Sequence, residues 1–168
     1  KMGFAGLHKG NINRLDYTSV SGIVHQGGTV LGSSRFPEMH HAEVRGEMAA
    51  RLVEHGIDSL VVLGGNGSFR GLELLQRDHG VSVVGIPATI DNDVFGSEAA
   101  IGVDTASNVI RHCLDQIRDT ASSFHRAFVV ETMGRDCGYL ALVTALTSGA
   151  EICLVPEVSF DLSKIEAR

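Results

Sequence analysis

Runs of about five apolar residues alternate along this chain with longer stretches in which apolar residues recur every three or four positions. Residues 43–55 carry Val44, Met48 and Leu52 four apart, the buried stripe of an amphipathic helix, and Gly56 supplies its stop. Ser59-Leu60-Val61-Val62-Leu63 is then continuously apolar after its serine, as expected for a strand at the centre of a parallel sheet covered on both faces. A helix is expected from about Ser68 to Gln76, followed by a strand from Val81 to Ile86 that Pro87 closes. Val103, Ala106, Ile110, Cys113, Leu114 and Ile117 mark a helix of several turns. Ala127 to Val130 reads as a strand, residues 139–146 as part of a helix and Ile152 to Val155 as another strand. Asp161 is placed to cap a final helix. This β-loop-α rhythm predicts an α/β fold, an open parallel sheet sandwiched by helices with right-handed crossovers.

Length and composition narrow the picture. The 168 residues amount to about one domain, with no tandem repeat, low-complexity linker or internal boundary. Hydrophobic residues at 43% and charged residues at 20% describe a globular rather than a disordered protein. A net charge of −6 argues against bulk binding to nucleic acid or to an anionic membrane. No apolar run approaches the roughly 20 residues that a membrane helix needs, and no secretory pattern opens the chain, so a cytoplasmic location is expected. Cys113, Cys137 and Cys153 are odd in number and sit in apolar segments, the pattern of buried free thiols. His40-His41 is expected at the surface.

In open α/β sheets, ligands bind beyond the carboxyl ends of the strands. Two unusual loops leave expected strands at that edge. In Thr89-Ile90-Asp91-Asn92-Asp93, an extended backbone would send Asp91 and Asp93 to one side with Thr89 beside them and Asn92 turned away. Two close carboxylates raise each other's pKa, so a divalent metal or a general base would explain the cluster. Gly64-Gly65-Asn66-Gly67-Ser68, with Gly71 one turn later, suits close approach of an anion to free amides at a helix start. A tight strand-to-helix turn capped by Ser68 explains those glycines equally well, and their spacing fits neither the Lys-Ser/Thr phosphate loop nor the dinucleotide fingerprint. Arg35, Arg126 and Arg135 lie at the ends of expected elements, where guanidinium groups can fork onto phosphate. Together these features form the apparatus of phosphoryl transfer.

The order and spacing of Gly-Gly-Asn-Gly-Ser (64–68), Pro-Ala-Thr-Ile-Asp-Asn-Asp (87–93), Arg118-Asp119-Thr120-Ala121-Ser122-Ser123, Met133-Gly134-Arg135 and Val155-Pro156-Glu157 resemble the 6-phosphofructokinase family. The resemblance covers nearly the whole chain and implies a phosphofructokinase-like fold, with residues 1–168 forming part of the ATP-binding domain and running toward the sugar-phosphate domain. It also implies a fragment: the family's first strand, with its Gly-Gly-Asp loop, would precede Lys1, and nearly half the subunit would follow Arg168. Exposed apolar surface and unpaired backbone would then leave the piece marginally soluble and inactive alone.

The activity implied is ATP-dependent phosphorylation of fructose 6-phosphate to fructose 1,6-bisphosphate, the committed step of glycolysis, with Mg2+ accompanying ATP. By motif position, Asp91 is the general base, Thr89 orients the reacting groups, and Asp93 joins the metal and phosphate network. Arg35, Phe36, Gly65, Asn66, Gly67 and Ser68 match the ATP site. Thr89, Ile90, Asp91, Met133, Gly134 and Arg135 match the sugar-phosphate site, Arg135 also in a catalytic role. Arg126 matches an arginine that crosses a subunit interface, so a monomer would be incomplete, and the family resemblance implies a homotetramer. Arg118, Gly149, Ala150 and Glu151 match a site for ADP or phosphoenolpyruvate as effectors.

Two departures from the family pattern and one pair of donor positions matter. Asn66 stands where the family usually has a magnesium-binding aspartate, and a neutral amide would hold the ion weakly or through water. Tyr17 replaces a common effector-site arginine, which would weaken phosphate attraction and alter allostery. Gly67 and Ala88 are small where pyrophosphate-dependent relatives carry Asp and Lys, which favours ATP as donor. The alternatives are a non-catalytic regulatory homologue, a pyrophosphate-dependent enzyme, and a glycine-loop kinase of the lipid or dinucleotide type.

Overall fold

The first buried cluster forms where the spacing predicted a stripe. In the computed structural model, which describes residues 1–161, 163 and 165, Met48 and Leu52 lie in helix α2 (Ala42–Glu54) and are almost wholly buried. With Leu7, Met39 and Leu75 they make a core that Phe4, Phe36, Val44 and Leu60 flank. Each such side chain contributes about 1.5–3 kcal/mol relative to exposure. The short helix α1 (Gly3–His8), not among the expected elements, supplies Leu7. Gly56 ends the α2 region with a φ of 62°, which glycine adopts without strain.

Contacts divide the chain into two units, Lys1–Val62 with Gly67–Gly85 and Leu63–Asn66 with Ile86–Arg168. Strands β1 (Ser59–Gly64) and β2 (Ser82–Pro87) form a two-stranded parallel sheet. Helix α3 (Asn66–His79) connects them and starts two residues earlier than expected. Its Phe69 lies so close to β2 that a Cβ on Gly85 would stand 2.7 Å from the ring. Likewise, a Cβ on Gly71 would be 3.0 Å from Phe4 and 3.1 Å from Met39. Gly71 therefore serves helix packing rather than anion approach.

The expected two-sided burial of β1 is corrected. Leu60 and Val62 are half-buried, whereas Val61 and Leu63 are 59% and 56% exposed. The core helices cover one face, so an unbroken apolar run does not here mean two covered faces.

Arg45 of α2 is buried, and its guanidinium donates at 2.9 Å both to an Asp78 carboxylate oxygen and to the Met39 carbonyl. Hydrogen bonds from Arg77, then Arg45, hold the Asp78 carboxyl below its ordinary value of 3.8. A carboxylate with a depressed folded pKa stabilises the fold above its unfolded pKa and loses that contribution as pH falls through the folded value. Asp78→Asn should therefore lower the thermal midpoint of the full-length protein at pH 7. The gap to wild type should narrow as pH falls below about 4; a gap constant from neutral pH down to about pH 2 would contradict the linkage.

In the second unit, α4 (Val103–Phe124) packs against α5 (Tyr139–Ser148). Helix α5 buries Leu140, Thr144 and Ser148 at four-residue spacing. Thr144 fits because its Oγ1 donates to the Leu140 carbonyl at 2.6 Å. Cys113 of α4 is exposed rather than buried, because its position falls outside the packed stripe; Cys137 and Cys153 are half-buried, and all three are free thiols. Residues 127–130 and 152–155 are not strands, for no ladder bonds join either segment to a neighbour among the described residues. Apolar β-formers do not make a strand until another backbone pairs with them. His40 and His41 are exposed. The Asp161 carboxylate accepts the Ser163 N–H at 3.0 Å, while the expected final helix lies largely outside the described residues.

Candidate functional site

The acidic loop begins where the sheet ends. Ala88 donates its N–H to the Gly64 carbonyl at 2.9 Å, which fixes the start of one loop against the end of the other. A Cβ on Gly65 would stand 3.3 Å from the Thr89 Cβ, and the Asn66 side-chain amide donates to the Asp93 carbonyl at 3.2 Å. Within the second unit, the glycine turn and the acidic loop are therefore in direct contact.

The loop is not extended. Ile90 and Asp91 form a turn, and Asn92 has a φ of 53°, in the left-handed region that asparagine tolerates better than most residues. Asn92 then ties the loop to its descending limb: its Oδ1 accepts the Ala100 N–H at 3.0 Å and its Nδ2 donates to the Glu98 carbonyl at 3.2 Å. The alternation expected of Asp91 and Asp93 is lost at this bend. Thr89 Oγ1 accepts the Asp91 N–H at 3.3 Å, so Thr89 braces the backbone that carries the carboxylate.

Asp91 lines an open hollow of about 410 Å³ together with Glu131, Thr132, Met133, Gly134 and Arg135. Asp93 does not line it and is exposed. The turn opposite Asp91 is tightly closed. Gly134 has a φ of 140°, Arg135 has a φ of 50°, and the Gly134 carbonyl accepts the Cys137 N–H at 2.9 Å. Glycine adopts such an angle freely, whereas the left-handed angle of Arg135 persists only where surrounding contacts hold it. Glu131 and Thr132 as wall residues, and Asn92 as the loop's tie, were not expected from the sequence. The run Asp-Asn-Asp held the available signal for the last, since asparagine favours local backbone bonds and left-handed turns.

The other expected site residues are more dispersed. Gly67 and Ser68 lie in the first turn of α3, where amides have no partner one turn earlier in the helix. A Cβ on Gly67 would meet no atom within 4 Å. In the first unit, Arg35 is exposed and Phe36 packs on the core, its ring 5.4 Å from that of His8. Ile90 is half-buried, within reach of Gly102. Arg126, beyond α4, lies over the Phe124 ring at 5.2 Å and is exposed. Arg118 lies over Gly149, 3.1 Å from where a Cβ would stand; Ala150 and Glu151 follow, both exposed. Among the described residues, no three His, Cys, Asp or Glu side chains gather as a metal cage.

Comparison with known proteins places this arrangement, first by fold. Phosphofructokinase from Saccharomyces cerevisiae superposes with a TM-score of 0.83 at 36% identity, over 89% of this chain and 23% of the yeast chain. The Pichia pastoris enzyme in its T-state gives 0.82, also at 36% identity, over 89% of this chain and 18% of that one. The expected α/β phosphofructokinase-like fold is thus present. A protein named ATP-dependent 6-phosphofructokinase from Sulfurimonas denitrificans is 54% identical over 98% of this chain and 51% of its own length. One of the same name from Thermotoga neapolitana is 46% identical over the whole chain and 53% of its own length. The profile of the phosphofructokinase family matches residues 1–168, and the chain belongs to that family. It spans about half the length of the curated relatives it matches.

Proposed function

We propose that the full-length protein transfers the γ-phosphoryl group of ATP to the 1-hydroxyl of fructose 6-phosphate, giving ADP and fructose 1,6-bisphosphate in glycolysis. The observation that carries this reading is the hollow shared by Asp91 and the turn Met133-Gly134-Arg135. Asp91 supplies a carboxylate to its wall and Arg135 a guanidinium, the group that can fork onto a sugar phosphate. The names of the relatives support the same chemistry.

In this reaction the Asp91 carboxylate accepts the proton of the sugar hydroxyl as its oxygen bonds to phosphorus and the bond to the ADP oxygen breaks. Arg135 holds the sugar phosphate, with Met133 and Gly134 shaping the wall, and Thr89 and Ile90 set the loop. The free amides from Gly65 to Ser68 receive the nucleotide phosphates at the start of α3, and Arg35 with Phe36 takes the rest of the nucleotide. Most of the acceleration comes from positioning and charge stabilisation.

Magnesium fits the residues present without an all-protein cage, since the ion keeps several waters and takes only one or two carboxylates besides phosphate oxygens. Asp93 has an exposed carboxylate, and Asn66 keeps its Oδ1 as an acceptor while its amide is engaged with the Asp93 carbonyl. These two would hold the hydrated ion, which when bound neutralises charge on the transferred phosphates. Asn66→Asp exchanges the amide donor for a second carboxylate. It should lower the magnesium concentration giving half-maximal activity; an unchanged titration would remove Asn66 from metal binding.

The family role carries further proposals: a cytoplasmic homotetramer in which Arg126 completes a neighbouring site, and control by ADP or phosphoenolpyruvate near Arg118, Gly149, Ala150 and Glu151. Residues 1–168 then form part of the ATP-binding domain. No helix among the described residues is long and apolar enough to cross a membrane. A coupled assay on the complete protein with fructose 6-phosphate, run with ATP and separately with pyrophosphate, tests the reading. Turnover with ATP is expected. Turnover only with pyrophosphate would overturn the donor, on which Gly67 and Ala88 are the present support, and no turnover with either would favour a regulatory homologue.

A further inference from the structure

Glu157 belongs to a motif that the proposed reaction leaves unused. Its Oε1 accepts the Gly138 N–H at 2.7 Å, and Gly138 is the residue from which α5 starts. The contact is close on both sides: a Cβ on Gly138 would stand 2.6 Å from Glu157 Oε2 and 2.5 Å from the Val155 Cβ. With a φ of −83°, Gly138 is not a glycine for its backbone angle. Its bare Cα is what lets the segment 155–157 lie against the start of α5. A carboxylate there also lies at the positive end of the helix dipole.

Only two residues separate Gly138 from Arg135. The turn is closed within itself by the Cys137 N–H on the Gly134 carbonyl, and the Leu142 N–H on the Gly138 carbonyl starts α5 at 2.9 Å. Gly134 and the strained Arg135 thus hang between Asp91's hollow on one side and Glu157's anchor on the other. Charge-assisted hydrogen bonds of this length are the stronger kind. We propose that Glu157 is a positioning residue for the anion-binding turn, holding Gly138 so that Arg135 points into the hollow.

This inference rests on the proposed reaction for its kinetic readout, so the test also includes one that does not. In the full-length protein, Glu157→Ala should raise KM for fructose 6-phosphate about tenfold while KM for ATP stays within about twofold. Glu157→Gln keeps an acceptor oxygen and should restore KM for the sugar phosphate to within about threefold of wild type. Calorimetric titration with fructose 6-phosphate alone should show the same order of affinities, whether or not ATP is turned over. If Glu157→Ala does not accumulate as folded protein, Glu157→Asp, which withdraws the carboxylate by one methylene, takes its place with the same expected direction. Equal affinity in wild type and the Ala or Asp variant would overturn the assignment, as would a Gln variant no better than Ala or an equal rise in the two KM values. Wild type that binds the sugar phosphate without turnover would sink the reaction and leave the anchor standing.

Discussion

Asp91→Asn in the full-length protein should lower kcat by about a thousandfold, within the range that a positioned general base supplies. KM for either substrate should move only a few-fold. The substitution is nearly isosteric and leaves the backbone intact: the Asp91 N–H still donates to Thr89 Oγ1, and the Asn92 ties to residues 98 and 100 do not involve the changed side chain. What changes is proton affinity at the position facing Met133-Gly134-Arg135. Binding contacts made equally in ground and transition states would survive, so the loss belongs in kcat. Steady-state kinetics with each substrate varied at saturating levels of the other checks this, and a kcat within tenfold of wild type would deny Asp91 the proton.

The sequence disclosed elements whose burial is local. Met48 and Leu52, four apart, could be assigned to one helical stripe because α2 carries its own period, and β1 and β2 were visible as short apolar runs closed by glycine or proline. Residues 127–130 and 152–155 are equally apolar, yet whether such a run becomes a strand depends on a neighbouring backbone, which composition does not encode. Two-sided cover for β1 failed for the related reason that a run of valines and leucines records what a face can bury, not what lies against it.

The candidate site divides in the same way. Asp91, Thr89 and Arg135 were legible as residue types that phosphoryl transfer uses. Their geometry was not, because the loop's course depends on Asn92 bending left-handed and reaching residues 98 and 100. Alternation along an extended backbone would put Asp93 beside Asp91, and one left-handed residue undoes that register. Gly71 illustrates the converse: it follows a phosphate-like glycine turn closely in sequence, and the contacts with Phe4 and Met39 give it a packing role instead.

Gly134→Ala should raise KM for fructose 6-phosphate about a hundredfold, the second large effect. Its new Cβ would stand 2.3 Å from the Cys137 carbonyl oxygen, a backbone atom that cannot rotate aside, and the φ of 140° is itself disfavoured for alanine. The turn can relieve both only by opening, which breaks the Cys137 N–H bond to Gly134 and releases Arg135 from its own left-handed angle. Losing a forked guanidinium-phosphate contact accounts for a factor of that order. Gly46→Ala is the control, because in α2 a Cβ would meet only His79 Cε1, at an ordinary 3.7 Å, and alanine is the better helix former by about 1 kcal/mol. That variant should be at least as stable as wild type with unchanged kinetics, while Gly134→Ala keeps its helical circular dichroism and loses affinity for the sugar phosphate. A sugar-phosphate KM within threefold of wild type in Gly134→Ala would mean that the turn's strain is idle and that Arg135 does not depend on it.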